Sequence, residues 1–431
     1  MISWSRFVCK IRVTLPILAV FIFFTNGICA LKAPSFKVTA KSCYFAEAQT
    51  GRVLFAQNED AKVPTASLAK IVTVLVAYDK IKDLNTKIVA PESIFAELYE
   101  QNAAMIGICA GEEVRAADLI CAVMIASSCE ASSILAYEIG HGSIPNFVKM
   151  MNKKAKELNA TNTHFVDAHG LSEKNYSTAR DMYLITREAI KNHQIMKMVS
   201  KSTYEIPRTN KRKETLIFTT NQMLVGNSMY HYNKIKGFKT GVLEGFQNFV
   251  SLSDGGGMTV IGAVLGAPPN EEEKKAGTRS HQAFVETRYI LDWIYNNFEN
   301  RLLAEKKALV DEVKIVGSLK SDHVGVVTNV DVYGMLPSSA KSEDVIKKCS
   351  LPKSVAAGTK TTEKIGKVEF FFADDKLAEA ELFLAKTVIA SAPEKIIYMI
   401  KSHVKVVLLV LGCVVALIFR IINVRNKRWH K

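Results

Sequence analysis

At 431 residues the chain is long enough for two or three globular units, and a 48% apolar content excludes wholesale disorder. The formal charge is +14, from 56 lysines and arginines against 42 acids, an average that would suggest an anionic partner. The charge is unevenly placed: residues 1–30 carry +3 and residues 401–431 carry +7, which leaves +4 for the 370 residues between and removes the support for nucleic-acid binding.

Both charged ends flank long apolar runs. Arg6, Lys10 and Arg12 precede an apolar run over 13–24 and the exit Gly27-Ile28-Cys29-Ala30. That is the layout of a secretory signal, too short for a span, so 1–30 reads as a signal peptide. Ile28 is an imperfect fit for a cut after Ala30. Cys29 follows Ile28 rather than a small residue, which argues against a lipoprotein.

Residues 42–58 form two strand-like runs around Gln49-Thr50-Gly51, a predicted hairpin. An Ala/Leu/Val-rich segment from Ser67 to about Tyr78 reads as a helix. Segments 116–125 and 130–139 read as two mostly buried helices separated by the polar break Ser127-Ser128. Residues 147–158 are amphipathic, and a further helix starts near Thr178-Ala179-Arg180-Asp181. Runs at 246–253 and 258–266, joined by Asp254-Gly255-Gly256-Gly257, make a second hairpin, and 282–298 closes the region as a helix. Hairpins at both ends with helices between predict one α+β domain over 31–303, its terminal strands sharing an antiparallel sheet.

From 304 to 392 the pattern turns to short β-rich runs at 312–316, 324–330, 368–372 and 378–390, a small second domain. It joins a membrane anchor, 393–431, through Ser391-Ala392-Pro393. The anchor helix is expected over about 404–424, with Lys405 and Arg420 snorkelling at its edges. An in-plane interfacial helix and a buried core helix are the other readings. The basic tail with Trp429 places the C-terminus in the cytoplasm and residues 31 to about 400 outside it. Cys43, Cys109, Cys121, Cys129 and Cys349 are odd in number, so intramolecular pairing leaves at least one free. No CxxC or HExxH occurs, and His164 and His169 lack a third ligand; neither a metal nor a cofactor is expected.

Chemistry begins at Ser67-Leu68-Ala69-Lys70, directly after Pro64. Positions three apart share a helix face, so the Lys70 amine reaches the Ser67 hydroxyl, and a desolvated lysine can serve as its base. Ser67 would also sit at the positive end of the helix dipole. The spacing alone is weak, recurring at Ser338/Lys341, Ser350/Lys353 and Ser402/Lys405. Lys239-Thr240-Gly241 leads into the second hairpin: lysine and threonine offer a cation and a hydroxyl to a carboxylate, and Gly241 admits a substrate backbone. Ser127-Ser128-Cys129 either supplies a hydroxyl that passes a proton to a leaving amine or simply caps the next helix.

In this order the three elements match the set found in penicillin-binding proteins and class A β-lactamases. The longer strings Pro64-Thr65-Ala66-Ser67-Leu68-Ala69-Lys70, Asn162-Thr163-His164-Phe165 with His169-Gly170-Leu171, Ser177-Thr178-Ala179-Arg180-Asp181 and Gly237-Phe238-Lys239-Thr240-Gly241 resemble the low-molecular-mass penicillin-binding proteins. Within these they are similar to the D-alanyl-D-alanine carboxypeptidases of the penicillin-binding-protein-5 type. Similarity covers about residues 38–300 and, more loosely, the β-rich domain; the family also carries a signal peptide and a C-terminal anchor. The resemblance implies an antiparallel sheet with helices and acyl transfer on peptidoglycan stem peptides ending in D-Ala-D-Ala, with β-lactam antibiotics acylating the same serine.

Carried onto this chain, Ser67 would be the nucleophile, Lys70 its base, and Ser127 a proton relay. Backbone N–H groups of Ser67 and Val242 would form the oxyanion hole, and Lys239, Thr240 and Gly241 would hold the substrate carboxylate and backbone. Asn248 and Arg279 are weaker substrate candidates, and His169 is read as a structural residue of its loop.

One departure stands out. Where the family usually has Ser-x-Asn followed by Asp, this chain has Ser127-Ser128-Cys129 followed by Glu130. A thiol is a weaker donor and acceptor than an amide, so turnover is expected to be slower. A D,D-endopeptidase would use the same residues, and a non-catalytic peptidoglycan-binding scaffold is the alternative that Cys129 supports. A class A β-lactamase is disfavoured because no glutamate pattern for deacylation appears between Asn162 and Lys174.

Overall fold

The computed structural model describes residues 34–269, 281–318, 321–389, 393, 396, 400–401 and 403–429. The signal peptide expected at 1–30, Arg279 and the Ser391-Ala392 junction lie outside the described residues.

The expected first hairpin is β1 (Ser42–Glu47) and β2 (Val53–Gln57). Its partners come from far along the chain: β3 (Ile235–Leu243), β4 (Phe246–Gly255) and β5 (Met258–Ala267). The five form one antiparallel sheet in the order β2-β1-β5-β4-β3, with Ser42 opposite Leu265 and Glu47 opposite Val260. The two terminal hairpins therefore meet at β1 and β5, and β3 is left as an edge.

Alternation along β1 explains the layering. Tyr44 and Ala46 point into one apolar cluster, whereas Cys43 and Phe45 point into a second on the opposite face. The first cluster is roofed by α1 (Ala69–Lys80), α2 (Ala116–Ile125), α3 (Cys129–Ile139), α4 (Ile144–Glu157), α5 (Ala179–Ala189) and α6 (His193–Val199). The second is covered by α7 (Gln282–Asn297), where Phe284 meets Phe249 edge-on at 4.8 Å. Helix α2 is apolar on nearly every side because it is the buried centre of the helical layer. Ser143 and Thr178 cap α4 and α5 by accepting from Asn146 N–H and Asp181 N–H.

Helix α7 runs directly into strand β6 (Phe298–Ala304), which starts ahead of the composition change near 304. The rest of the small domain comprises β7 (Leu309–Val316), β8 (His323–Thr328), β9 (Val332–Pro337), β10 (Val345–Ser350), β11 (Gly366–Phe372) and β12 (Asp375–Leu384). Strand β6 pairs with β9, and the others form a sheet in the order β10-β11-β12-β8-β7, closed by residues 355–356. The run expected at 378–390 is shifted to Asp375–Leu384, because a tight turn through Ala373, at φ +50°, folds it back on β11. The run expected at 324–330 ends at Thr328.

Arg52, in the β1–β2 turn, joins the two domains. Its buried guanidinium donates to the Met335 carbonyl, lies 3.8 Å from Asp375 and faces the rings of Phe298 and Phe372. At the C-terminus α8 (Val404–Trp429) extends past the expected end. Its segment Val404–Ile422 has a mean hydropathy of 2.7 and is long and apolar enough to cross a membrane. The five cysteines between 43 and 349 are all free thiols.

Candidate active site

The site is built where the chain enters α1. Ser67 lies in the single 3₁₀ turn Ala66–Leu68 that opens the helix, half-buried, with its hydroxyl 2.9 Å from Lys70 Nζ. Such first turns leave backbone N–H groups without intrahelical acceptors. Ala66, just before the serine, holds a left-handed φ of +49°, an uncommon state for a residue with a Cβ.

Lys70 is fully buried. Besides Ser67, its Nζ meets the His169 carbonyl at 2.7 Å and Cys129 Sγ at 3.4 Å. A neutral amine has two N–H donors and one lone pair; two neighbours here can accept, and the third, a hydroxyl, can donate to the lone pair. The surroundings therefore satisfy an uncharged lysine. Burial pushes its pKa below the ordinary lysine value, against a partial restoring pull from Cys129 and from the carboxylates of Asp167 and Glu130.

The break between α2 and α3 resolves which serine is structural. Ser128 caps α3, its hydroxyl accepting from Ala131 N–H at 3.0 Å and donating to Glu130 at 2.7 Å. Ser127 is held at φ +60°, and its hydroxyl has no hydrogen bond among the described residues. Glu130 is buried and accepts from Ile106 N–H at 2.6 Å and Gly107 N–H at 3.1 Å, while Cys129 N–H donates to the Ala104 carbonyl at 2.8 Å. Glutamate thus pins the turn to the loop at 104–107.

Lys239 and Thr240 lie on the edge strand β3. Lys239 is completely buried, and among the described residues its Nζ meets a single acceptor, the Thr240 carbonyl at 3.2 Å. Burial, and secondarily the positive charge of Lys70, depress its pKa well below the ordinary value, against a raising effect from Cys129. Thr240 Oγ1 is 2.6 Å from Thr220 Oγ1, and Thr220 N–H donates to the Ile125 carbonyl at the end of α2. Val242 is 55% exposed, near the open end of the edge strand, where alternate N–H groups go unpaired.

The loop at 167–175 was legible only as a string. Asp167 accepts from the N–H groups of His169 at 3.0 Å, Gly170 at 2.5 Å and Ser172 at 2.9 Å, and from Asn175 Nδ2 at 2.8 Å. This folding aims the His169 carbonyl at Lys70. Gly170, at φ +85°, backs directly on the turn bearing Ser67: a Cβ there would lie 1.8 Å from the Ala66 carbonyl oxygen. The His169 Nδ1 accepts from Leu171 N–H at 3.3 Å and lies 3.3 Å from Asp167 Oδ1; burial, aided by the positive charge of Lys70, lowers the pKa of the ring to about 4 against the pull of the Asp167 carboxylate. Asn248, expected as a substrate contact, has its amide committed to the protein: Nδ2 donates to the carbonyls of Pro64 and Thr65, and Oδ1 accepts from Gly266 N–H.

Sequence reasoning passed over Asp167, Gly170, Thr220 and the link from Glu130 to the 104–107 loop. The string His169-Gly170-Leu171 was the available signal for the loop; nothing local marked Thr220. The geometry joins a half-exposed hydroxyl, a buried amine able to take its proton and a second buried amine with donors to spare.

Two family models match the chain. One, described as D-alanyl-D-alanine carboxypeptidase, spans residues 29–269, and the other, described as penicillin-binding protein 5, C-terminal domain, spans 298–390. The D-alanyl-D-alanine carboxypeptidase DacF of Bacillus subtilis (strain 168) is 27% identical over 344 residues, 79% of this chain and 84% of that protein. The crystal structure of penicillin-binding protein 5 from Haemophilus influenzae shares the fold at a TM-score of 0.64 and 24% identity, covering 84% of this chain and 100% of that one. The Streptomyces K15 DD-transpeptidase, solved with a cysteine replaced by asparagine, matches at a TM-score of 0.54 and 25% identity, over 61% of this chain and 99% of that one. The same enzyme has been solved with a serine two residues before that cysteine replaced by alanine, the spacing that separates Ser127 from Cys129.

Proposed function

This chain belongs to the D-alanyl-D-alanine carboxypeptidase family and is a serine-type D,D-carboxypeptidase with a penicillin-binding-protein-5 C-terminal domain, and from that premise we propose how its residues divide the work. Ser67 Oγ attacks the carbonyl carbon of the penultimate D-alanine of a peptidoglycan stem pentapeptide, and its proton passes to neutral Lys70. The observation that carries this reading is the 2.9 Å contact between Ser67 and a lysine that is fully buried, hence readily uncharged.

Backbone N–H groups of Ser67 and Val242 receive the developing oxyanion. The Ser127 hydroxyl, left free because Ser128 takes the capping role, hands its proton to the departing amine as the peptide C–N bond breaks and is reprotonated by Lys70, which thereby gives up the proton it took from Ser67. Lys239 and Thr240 hold the terminal carboxylate, which offsets the cost of a buried ammonium, and Gly241 lets the substrate backbone approach the strand. Cys129 lies beside Lys70 as an acceptor, and the serine-x-cysteine spacing shared with the Streptomyces K15 enzyme supports its place in the site. Water then cleaves the Ser67 ester. A penicillin, its lactam carbonyl in the same place, acylates the same oxygen.

The catalytic domain works outside the cytoplasm, tethered to the cytoplasmic membrane by Val404–Ile422, with the basic tail on the inner side. The apolar run, the basic tail and the signal-like N-terminus support this topology.

Labelling with fluorescent penicillin tests the nucleophile: wild type labels and Ser67→Ala does not, whereas labelling that survives the substitution removes Ser67 from this role. D-alanine release from a pentapeptide, measured against cleavage of a crosslinked dimer, separates carboxypeptidase from endopeptidase. A scaffold with no turnover would show neither.

A further inference from the structure

We infer that Asn248 is a positioning residue for acyl transfer: its amide locks the turn bearing Ser67 to β4 and β5, and because β4 carries β3 on its ladder, the amide sets the spacing of the two backbone N–H groups assigned to the oxyanion. The inference rests on that oxyanion assignment. Asn248 on β4 lies directly opposite Gly241 on β3, and cross-strand partners place their side chains on the same face of a sheet. Gly241 has nothing to place there. A Cβ at that position would come within 2.9 Å of the Thr65 carbonyl oxygen and 3.1 Å of Ala66 Cβ, so the strand backbone and the catalytic turn are in close contact.

The Asn248 side chain reaches the same turn. Its Nδ2 donates to the Pro64 carbonyl at 2.8 Å and to the Thr65 carbonyl at 3.1 Å, both immediately ahead of left-handed Ala66 and of Ser67. Its Oδ1 accepts from Gly266 N–H on β5 at 2.7 Å. One amide, 2% exposed, therefore ties together the catalytic turn, β4 and β5, with both of its donors used. No donor is left over for a substrate, and the amide gives the strained turn a fixed depth against the sheet.

The role predicts a particular kinetic pattern. Displacing a reacting group by about 1 Å can cost on the order of 10²-fold in rate. The loss should appear in the transition state, because the substrate carboxylate contacts of Lys239 and Thr240 are untouched.

Asn248→Asp and Asn248→Ala in the full chain test this. Aspartate keeps the shape and the bond from Gly266 N–H but turns an oxygen toward two carbonyl oxygens. The measurements are kcat and KM for D-alanine release from a pentapeptide ending in D-Ala-D-Ala, and the affinity of a boronic acid that adds to Ser67 as a tetrahedral mimic. The expected result is a kcat about 10²-fold lower, with aspartate worse than alanine, KM within about twofold, and boronate affinity weakened by a similar factor. A raised KM at unchanged kcat would make Asn248 a substrate ligand and overturn the inference, as would a lowered kcat with unchanged boronate affinity. If the alanine variant does not fold, the aspartate variant decides: wild-type kcat in it overturns the inference. Ser67→Ala, run alongside, separates the two failures. Turnover surviving in Ser67→Ala sinks the active-site reading itself, whereas an inactive Ser67→Ala beside fully active Asn248 variants sinks this inference alone.

Discussion

Replacing Asp167 with asparagine keeps the size of the side chain and one carbonyl oxygen but exchanges the other oxygen for an NH₂ group. Asp167 accepts four hydrogen bonds, two on each oxygen, and three come from the backbone of its own loop. An amide nitrogen at Oδ2 would face Ser172 N–H and Asn175 Nδ2, two donors left without an acceptor. At about 1–3 kcal/mol for each unsatisfied buried group, allowing for partial exposure, the loss is about 3 kcal/mol. Each kcal/mol moves the melting midpoint of a unit this size by about 2–4 °C, so the midpoint should fall by about 6–12 °C. The same loop aims the His169 carbonyl at Lys70 and seats Gly170 against the Ala66–Ser67 peptide, so penicillin acylation, followed well below both midpoints, should slow by about tenfold or more. Acid sensitivity should change as well. Burial alone would raise the Asp167 pKa, but His169 and the donors of Gly170, Ser172 and Asn175 outweigh it and hold the carboxyl below its ordinary value. A depressed carboxyl contributes stability that is present above the unfolded pKa and lost as pH falls through the folded one, and asparagine removes that contribution. A variant melting within about 1 °C of wild type and acylated at the wild-type rate would refute the argument that this carboxylate builds the loop.

Cys129→Asn gives Lys70 an amide oxygen in place of a thiol at 3.4 Å; a gain of about 1 kcal/mol corresponds to about fivefold faster penicillin acylation, and equal rates would show that the thiol does not limit the site. His169, with its pKa lowered to about 4 by burial, contributes stability that is complete above its unfolded value of about 6.5 and lost as pH falls through 4. His169→Gln should therefore flatten the decline of melting temperature between those limits, and an unchanged slope would exclude His169 as its source. Gly170→Ala should abolish labelling, since its Cβ would sit 1.8 Å from a backbone oxygen; near-wild-type labelling would mean the loop can retreat from the catalytic turn without cost.

Local chemistry determined much of this molecule before any contact was known. The hairpins at 42–58 and 246–266, the helices either side of Ser127-Ser128 and the Ser67/Lys70 pairing rest on neighbours within a few residues, where periodicity and turn composition act directly. The strand shift to Asp375–Leu384 shows the limit: alternation marked β structure, but the turn at Ala373 set its start. The choice between cap and proton relay was likewise open in sequence, since either serine could cap α3. Folding settled the cap on Ser128 because only its hydroxyl meets Ala131 N–H.

What the tertiary structure alone decided concerns distance and water. Lys70 meets a carbonyl 99 positions later and a thiol 59 positions later, and Asn248 reaches carbonyls 183 and 184 positions earlier. No spacing rule announces such pairs. The serine-lysine-lysine pattern named the chemistry, but a lysine in water is an ammonium and no base. Closing the helical layer and the edge strand over Lys70 and Lys239 removes the solvent that would keep them charged, and desolvation of that kind belongs to packing rather than to order along the chain.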